Sequence, residues 1–63
     1  MLDINVYYKG IEEPELFENI DSFEPNKGNK FLFLFANCGN GVEWYLPLEN
    51  ILCFSIDYKE GVK

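Results

Sequence analysis

The chain is predicted to be an α+β protein, mostly β: a small, strongly bent antiparallel sheet or half-open barrel in the order β-α-β-β-β, with one short helix. Three features predict this class. Leu2 to Lys9 alternates apolar and polar residues with period two, the pattern of a strand with one buried face. Lys30 to Asn37 is a β-prone apolar run followed by Cys38-Gly39-Asn40-Gly41, a hairpin signal because Gly and Asn accept positive φ. Between these lies a stretch whose apolar residues follow a helical spacing.

In the first strand, Leu2, Ile4, Val6 and Tyr8 fall on the inward face and Asp3, Asn5, Tyr7 and Lys9 on the other, with Gly10 ending the strand. Residues 14–20 read as a two-turn helix. Pro14 suits its first position, where a missing N–H costs nothing, and Leu16, Phe17, Ile20 and Phe23 fall at i, i+1, i+4 and i+7. So short a helix needs a sheet to dock on. Glu24 to Asn29 carries the residues of a loop. In the strand over 31–36, Phe31, Phe33 and Phe35 are expected inward, and Leu32, Leu34 and Ala36 outward. The return strand over 42–46 places Val42, Trp44 and Leu46 inward. Pro47 to Asn50 interrupts the pairing, as one turn of 3₁₀ helix. The last strand, 51–58, has Leu52, Phe54, Ile56 and Tyr58 inward and Ile51, Cys53, Ser55 and Asp57 outward. Residues 58–63 form a fraying tail. The chain is one domain, 1–63.

The stretch Trp44-Tyr45-Leu46-Pro47-Leu48-Glu49-Asn50-Ile51 resembles the last turn of SH3-like barrels, where a Pro-led turn joins two short strands. The resemblance implies a half-open SH3-like barrel and lends no function. The expected helix after the first strand departs from the SH3 order.

A chain of 63 residues buries only about 60% of the surface it exposes when unfolded. Six Phe, four Tyr and one Trp offset this, since each large side chain contributes roughly 1.5–3 kcal/mol when buried. Arg, His, Gln and Thr are absent. Residues with AT-rich codons (Phe, Tyr, Met, Ile, Asn, Lys) far outnumber Gly, Ala, Arg and Pro, which points to a low-GC bacterium or its phages. No run reaches the roughly 20 apolar residues that span a bilayer, and residues 1–9 lack the pattern of a signal peptide. A cytoplasmic location is expected, and two cysteines, Cys38 and Cys53, fit a reducing compartment.

The net charge of −6 is local. Glu12, Glu13, Glu15, Glu18, Asp21 and Glu24 share a window without lysine, while the other five acids balance the five lysines. With no Arg, direct nucleic-acid binding through phosphate neutralisation is not expected. An acidic segment steers basic partners; it also serves simply as a solvated face.

Catalytic chemistry finds little support. No His is present to activate Cys38, Cys53, Ser22 or Ser55. Two cysteines without His fall short of a zinc site, the carboxylate spacing is not that of a calcium loop, and the Gly39/Gly41 segment matches no phosphate-binding motif. No enzyme activity, metal or cofactor is expected.

Leu32, Leu34 and Ala36, if outward, would join Tyr7, Tyr45, Ile51 and Cys53 in an apolar patch, and such patches on small proteins mark interfaces. Cover by the helix, self-association and a hetero-partner are the three ways to satisfy it. Three functions follow. The first is a non-enzymatic regulator or inhibitor of phage or mobile-element type, docking through residues 12–24 on a larger basic protein such as a nucleic-acid-binding one. The second is a homo-oligomeric structural or scaffolding protein using Tyr7, Leu32, Leu34, Tyr45 and Ile51 as interface. The third is a small-ligand sequestering protein in which Tyr7, Tyr8, Trp44 and Tyr45 stack on a planar ligand. No membrane partner is expected.

Overall fold

The computed structural model describes residues 1–37 and 40–58. The described chain is β throughout: β1 (Leu2–Tyr8), β2 (Glu15–Ile20), β3 (Ser22–Lys27), β4 (Phe31–Ala36), β5 (Val42–Pro47) and β6 (Ile51–Tyr58), with a 3₁₀ turn over Leu48–Asn50. The strands form two three-stranded sheets, ordered β2-β1-β6 and β3-β4-β5. All neighbours are antiparallel. The two sheets are separate among the described residues, so no barrel closes.

The core lies between them. Ile4, Val6, Phe17, Ile20 and Ile51 of the first sheet meet Leu32, Leu34 and Ala36 of the second. Phe17 and Trp44 bridge the layers edge to face, their centroids 5.4 Å apart. β1 follows its alternation: Ile4 and Val6 are fully buried, and Leu2 and Tyr8 pack at the margin of the core.

The expected helix over 14–20 is strand β2. Its helical spacing has another origin. Ile4 of β1 stands opposite Phe17 and Leu2 opposite Ile20, so three steps on β2 face two on β1. That is a β-bulge, and Asn19, at φ 59°, absorbs the extra residue. Asn visits the left-handed region at low cost because its side chain bonds locally. Two turns of isolated helix gain nothing in water, whereas β2 gains a ladder with β1 and buries Phe17 and Ile20.

The expected loop over 24–29 is in part strand β3, which ends at Lys27. Pro25 is tolerated because β3 is an edge strand of its sheet. The register shifts between Glu24 and Lys27, and Asn26 sits at φ 71°. The reversal itself is Lys27-Gly28-Asn29-Lys30. Gly28 and Asn29 both have φ 62°, and the Lys30 N–H donates to the Lys27 carbonyl. Positive φ at both central residues matches the right-handed twist of the flanking strands.

The facing of β4 is the reverse of the expectation. Leu32, Leu34 and Ala36 are buried at 0–1% exposure, while Phe31, Phe33 and Phe35 are half-buried on the outer side. Both alternating sets of β4 are apolar, so the strand alone does not choose. Its neighbours choose for it. Phe33 stands opposite Glu24 and Tyr45, and Phe35 opposite Ser22 and Glu43. Directly opposite residues share a face, and the carboxylates of Glu24 and Glu43 cannot enter an apolar core. Leu34, between Phe23 and Trp44, is therefore the inward residue.

β4 and β5 pair antiparallel as expected, with Trp44 and Leu46 against the core, but Val42, expected inward, is exposed at 39% because it stands at the end of the ladder, opposite Ala36. Its Cys38 and Gly39 lie outside the described residues, as does any approach of Cys38 to Cys53. The 3₁₀ turn after Pro47 also forms. In β6, Phe54 and Ile56 pack inward as expected. Leu52 and Tyr58 do not, at 68% and 69% exposure, and Ile51 takes the buried position instead. The cause is a register shift: Tyr7 pairs with Cys53 but Tyr8 with Ile51, leaving Leu52 as the extra residue. Tyr58 belongs to β6 rather than to a tail, and residues 59–63 lie outside the described part.

Candidate interaction surfaces

The six acids of segment 12–24 lie along one margin of the molecule. Glu12 and Glu13 belong to the β1–β2 connection, Glu15 and Glu18 to β2, Asp21 to the corner, and Glu24 to β3; all are exposed. β2 is an outer strand of one sheet and β3 of the other. The chain passes between them in one residue, Asp21, whose N–H donates to the Phe35 carbonyl at 2.8 Å. The segment thus supplies an outer strand to each sheet: Phe17 and Ile20 are buried in the core while the six carboxylates stay exposed.

Three of these carboxylates have partners. Glu15 accepts the Tyr8 hydroxyl at 2.7 Å. Asp21 accepts the Asn37 N–H at 2.6 Å. Glu24 lies 3.7 Å from the Lys27 ammonium. Glu12, Glu13 and Glu18 have no such partner among the described residues. Lys27 is thus the one cation paired along this margin among the described residues.

The Tyr8 phenol is pushed up to about 12, first by its burial and then by its bond to Glu15 and the adjacent negative charge. A group whose pKa is raised on folding stabilises the fold below its unfolded value, about 10, and loses that contribution as pH climbs through the folded value. Tyr8→Phe is therefore expected to lower stability by about 1 kcal/mol at neutral pH. The gap to wild type should shrink between pH 10 and 12, as read by urea melts in that window. A gap that stays constant would show that the hydroxyl is not linked to folding.

The five residues expected to form an apolar patch are not brought together at the surface. Leu32, Leu34 and Ile51 are core residues at 0%, 0% and 8% exposure. Tyr7 is half-buried on the first sheet, and Tyr45 is exposed on the second. The covering layer is the sheet β2-β1-β6, not a helix. The four aromatics Tyr7, Tyr8, Trp44 and Tyr45 do not converge either, since Trp44 and Tyr8 pack on the core.

The outer apolar surface is instead the row Phe31, Phe33 and Phe35 on β4, with Tyr45 beside it. Tyr45 meets Phe33 at 5.1 Å and Phe31 at 6.0 Å between centroids. The Lys27 ammonium lies over the Phe33 ring, 4.7 Å from its centre, a cation–π distance. Glu24 and Glu43 flank the row through their register with Phe33 and Phe35, and the Tyr45 hydroxyl donates to Glu43 at 3.3 Å. The sequence signal for this surface lay in the strands beside β4, whose charged residues fix which face is wet.

Cys53 is an exposed free thiol, and with no His in the chain nothing of that type stands beside it as a base. Among the described residues, no three or more Asp, Glu, Cys or His side chains are grouped to hold a metal ion. Among the described residues, no helix is long and apolar enough to cross a membrane. Comparison with protein-family models, with curated proteins and with solved structures finds no match for this chain.

Proposed function

We propose that this protein is a non-enzymatic binding module, a regulator or inhibitor of phage or mobile-element type that docks on a larger basic protein in the cytoplasm. A nucleic-acid-binding protein is the favoured class of partner. The observation that carries the reading is the margin of six exposed carboxylates over residues 12–24, of which, among the described residues, Glu24 alone is matched by a lysine. Such a margin raises the encounter rate with a basic surface by 10-fold or more at low ionic strength, on the order of magnitude typical of charge steering. The aromatic row Phe31, Phe33, Phe35 and Tyr45 supplies the anchor that charge alone lacks, because aromatic side chains dominate interface energetics and accept cations on their faces.

For the fold, we infer a half-open SH3-like arrangement. The strand order supports it: β2 and β3 act as one bent strand shared between two sheets, and a Pro47-led 3₁₀ turn precedes the last strand. A homo-oligomeric scaffold remains the second reading, supported by the same outer aromatic row.

The test compares wild type with the combined Glu12→Gln, Glu13→Gln, Glu15→Gln and Glu18→Gln variant. Partners are captured from a lysate at low and raised salt and identified by mass spectrometry, and their affinities are then measured with purified protein. The expected result is a basic partner whose affinity falls at least tenfold in the variant and weakens with salt. Partners bound equally well by both proteins at both salt concentrations would refute the reading.

A further inference from the structure

We propose that the free edge of β6 pairs with the same edge of a second copy of this chain, across a two-fold axis at Ser55. Each three-stranded sheet leaves two outer strands, and an unblocked outer strand offers unpaired N–H and C=O groups to another chain. Three of the four outer strands carry devices against such pairing. β2 has the bulge at Asn19 and the charges of Glu15 and Glu18. β3 has Pro25, which lacks an N–H, a register shift and Lys27. β5 is short, carries Glu43 and ends at Pro47.

β6 differs. At 8 residues it is the longest strand, and its sequence ILCFSIDY contains no Pro, Gly or Lys and one charge, Asp57. Its only irregularity is at Leu52; from Cys53 to Tyr58 it pairs with β1 without a break. Its other edge has no neighbour among the described residues.

The sequence is also self-complementary in one antiparallel register. A two-fold perpendicular to the sheet keeps inward residues on the inward face, so the axis must pass through a residue position rather than between two. With the axis at Ser55, Phe54 stands opposite Ile56 of the second copy, and Cys53 opposite Asp57. Leu52 stands opposite Tyr58, the two most exposed large side chains of β6 at 68% and 69%. Neither Asp57 meets its own copy, so no like charges oppose each other. An axis at Phe54 leaves Tyr58 without a partner, and an axis at Ile56 leaves Leu52 without one. Only the Ser55 register uses both. Pairing by this edge leaves the acidic margin and the aromatic row free, so it is independent of the docking reading above.

The test uses Ser55, which is exposed on the outer face opposite Asn5 and so can be changed without touching the core. Sedimentation equilibrium over a concentration series should show wild type passing from monomer to dimer. Ser55→Lys, which sets two ammonium groups directly opposite each other at the axis, should weaken that association at least tenfold. Ser22→Lys, on the blocked β3 edge, should leave it unchanged. Ser55→Cys, with Cys38 and Cys53 changed to Ser, should form a disulfide-linked dimer on mild oxidation, since residues directly opposite in a ladder lie about 4.5–5.5 Å apart. Circular dichroism checks that each variant is folded. A wild type that stays monomeric at millimolar concentration would overturn the proposal. So would a dimer indifferent to Ser55→Lys, or a larger closed ring.

Discussion

Leu34→Lys is expected to leave the chain unfolded at 25 °C. Leu34 is fully buried at the centre of β4, between Phe23 and Trp44. Truncation to Ala at such a site costs about 2–5 kcal/mol in lost burial and cavity formation. Lysine adds the penalty of an unpaired buried charge, several kcal/mol more. Natural domains have only about 5–15 kcal/mol in total, and a chain of this size sits near the bottom of that range. The neighbouring Phe33→Ser, on the outer face beside Lys27 and Tyr45, should lose closer to 1 kcal/mol, the scale of a cross-strand aromatic pair. Urea melts followed by Trp44 fluorescence separate the two. Had the Phe set been the inward one, the ranking would be reversed: Phe33→Ser would unfold the chain and Leu34→Lys would be a benign surface change.

The contrast between Phe33 and Leu34 marks what could be read from the sequence. Elements whose two faces differ in polarity were legible. β1 alternates Ile4 and Val6 with Asp3 and Asn5, and its buried face follows directly. β5 sets Trp44 and Leu46 against Glu43, and the 3₁₀ turn announces itself by Pro47. β4 was legible as a strand but not in its facing, because both of its sets are apolar; the information resided in Glu24 and Glu43, one strand away on either side. β2 and β3 were not legible as strands because bulges change the local period. Asn19 stretches a two-residue step to three, which imitates a helix, and the turn-forming Pro25 and Asn26 sit inside an edge strand rather than between strands. The acidic segment was legible as a charge run. Its course along the edges of both sheets depends on β2 and β3 being strands, so it emerged only with the fold. The apolar patch failed for the same reason as β4: its Leu32 and Leu34 belong to the core, and the surface that takes its place is built from the residues expected inside.

The distinction between a helix and a bulged strand over residues 15–20 has an equally large energetic signature. Phe17→Ala is expected to cost about 3–5 kcal/mol, the range for buried aromatic truncations, because Phe17 is 7% exposed and forms the edge-to-face contact with Trp44 that joins the two sheets. The contact itself accounts for about 0.5–1.5 kcal/mol of that loss. Phe17→Leu should therefore recover most of the burial but not the ring contact, and the near-ultraviolet circular dichroism of Trp44 should weaken in both variants. Leu16→Ala supplies the decisive comparison. In a helix, Leu16 and Phe17 would both lie on the docked stripe, and truncating either would be costly. In a strand, adjacent side chains point to opposite faces, and Leu16 is indeed half exposed, so its loss should fall within the roughly 0.5 kcal/mol typical of surface changes. Comparable losses at 16 and 17 would restore the helix; a several-fold difference between them follows only from β2 as a strand lying against β1 with one face in the core.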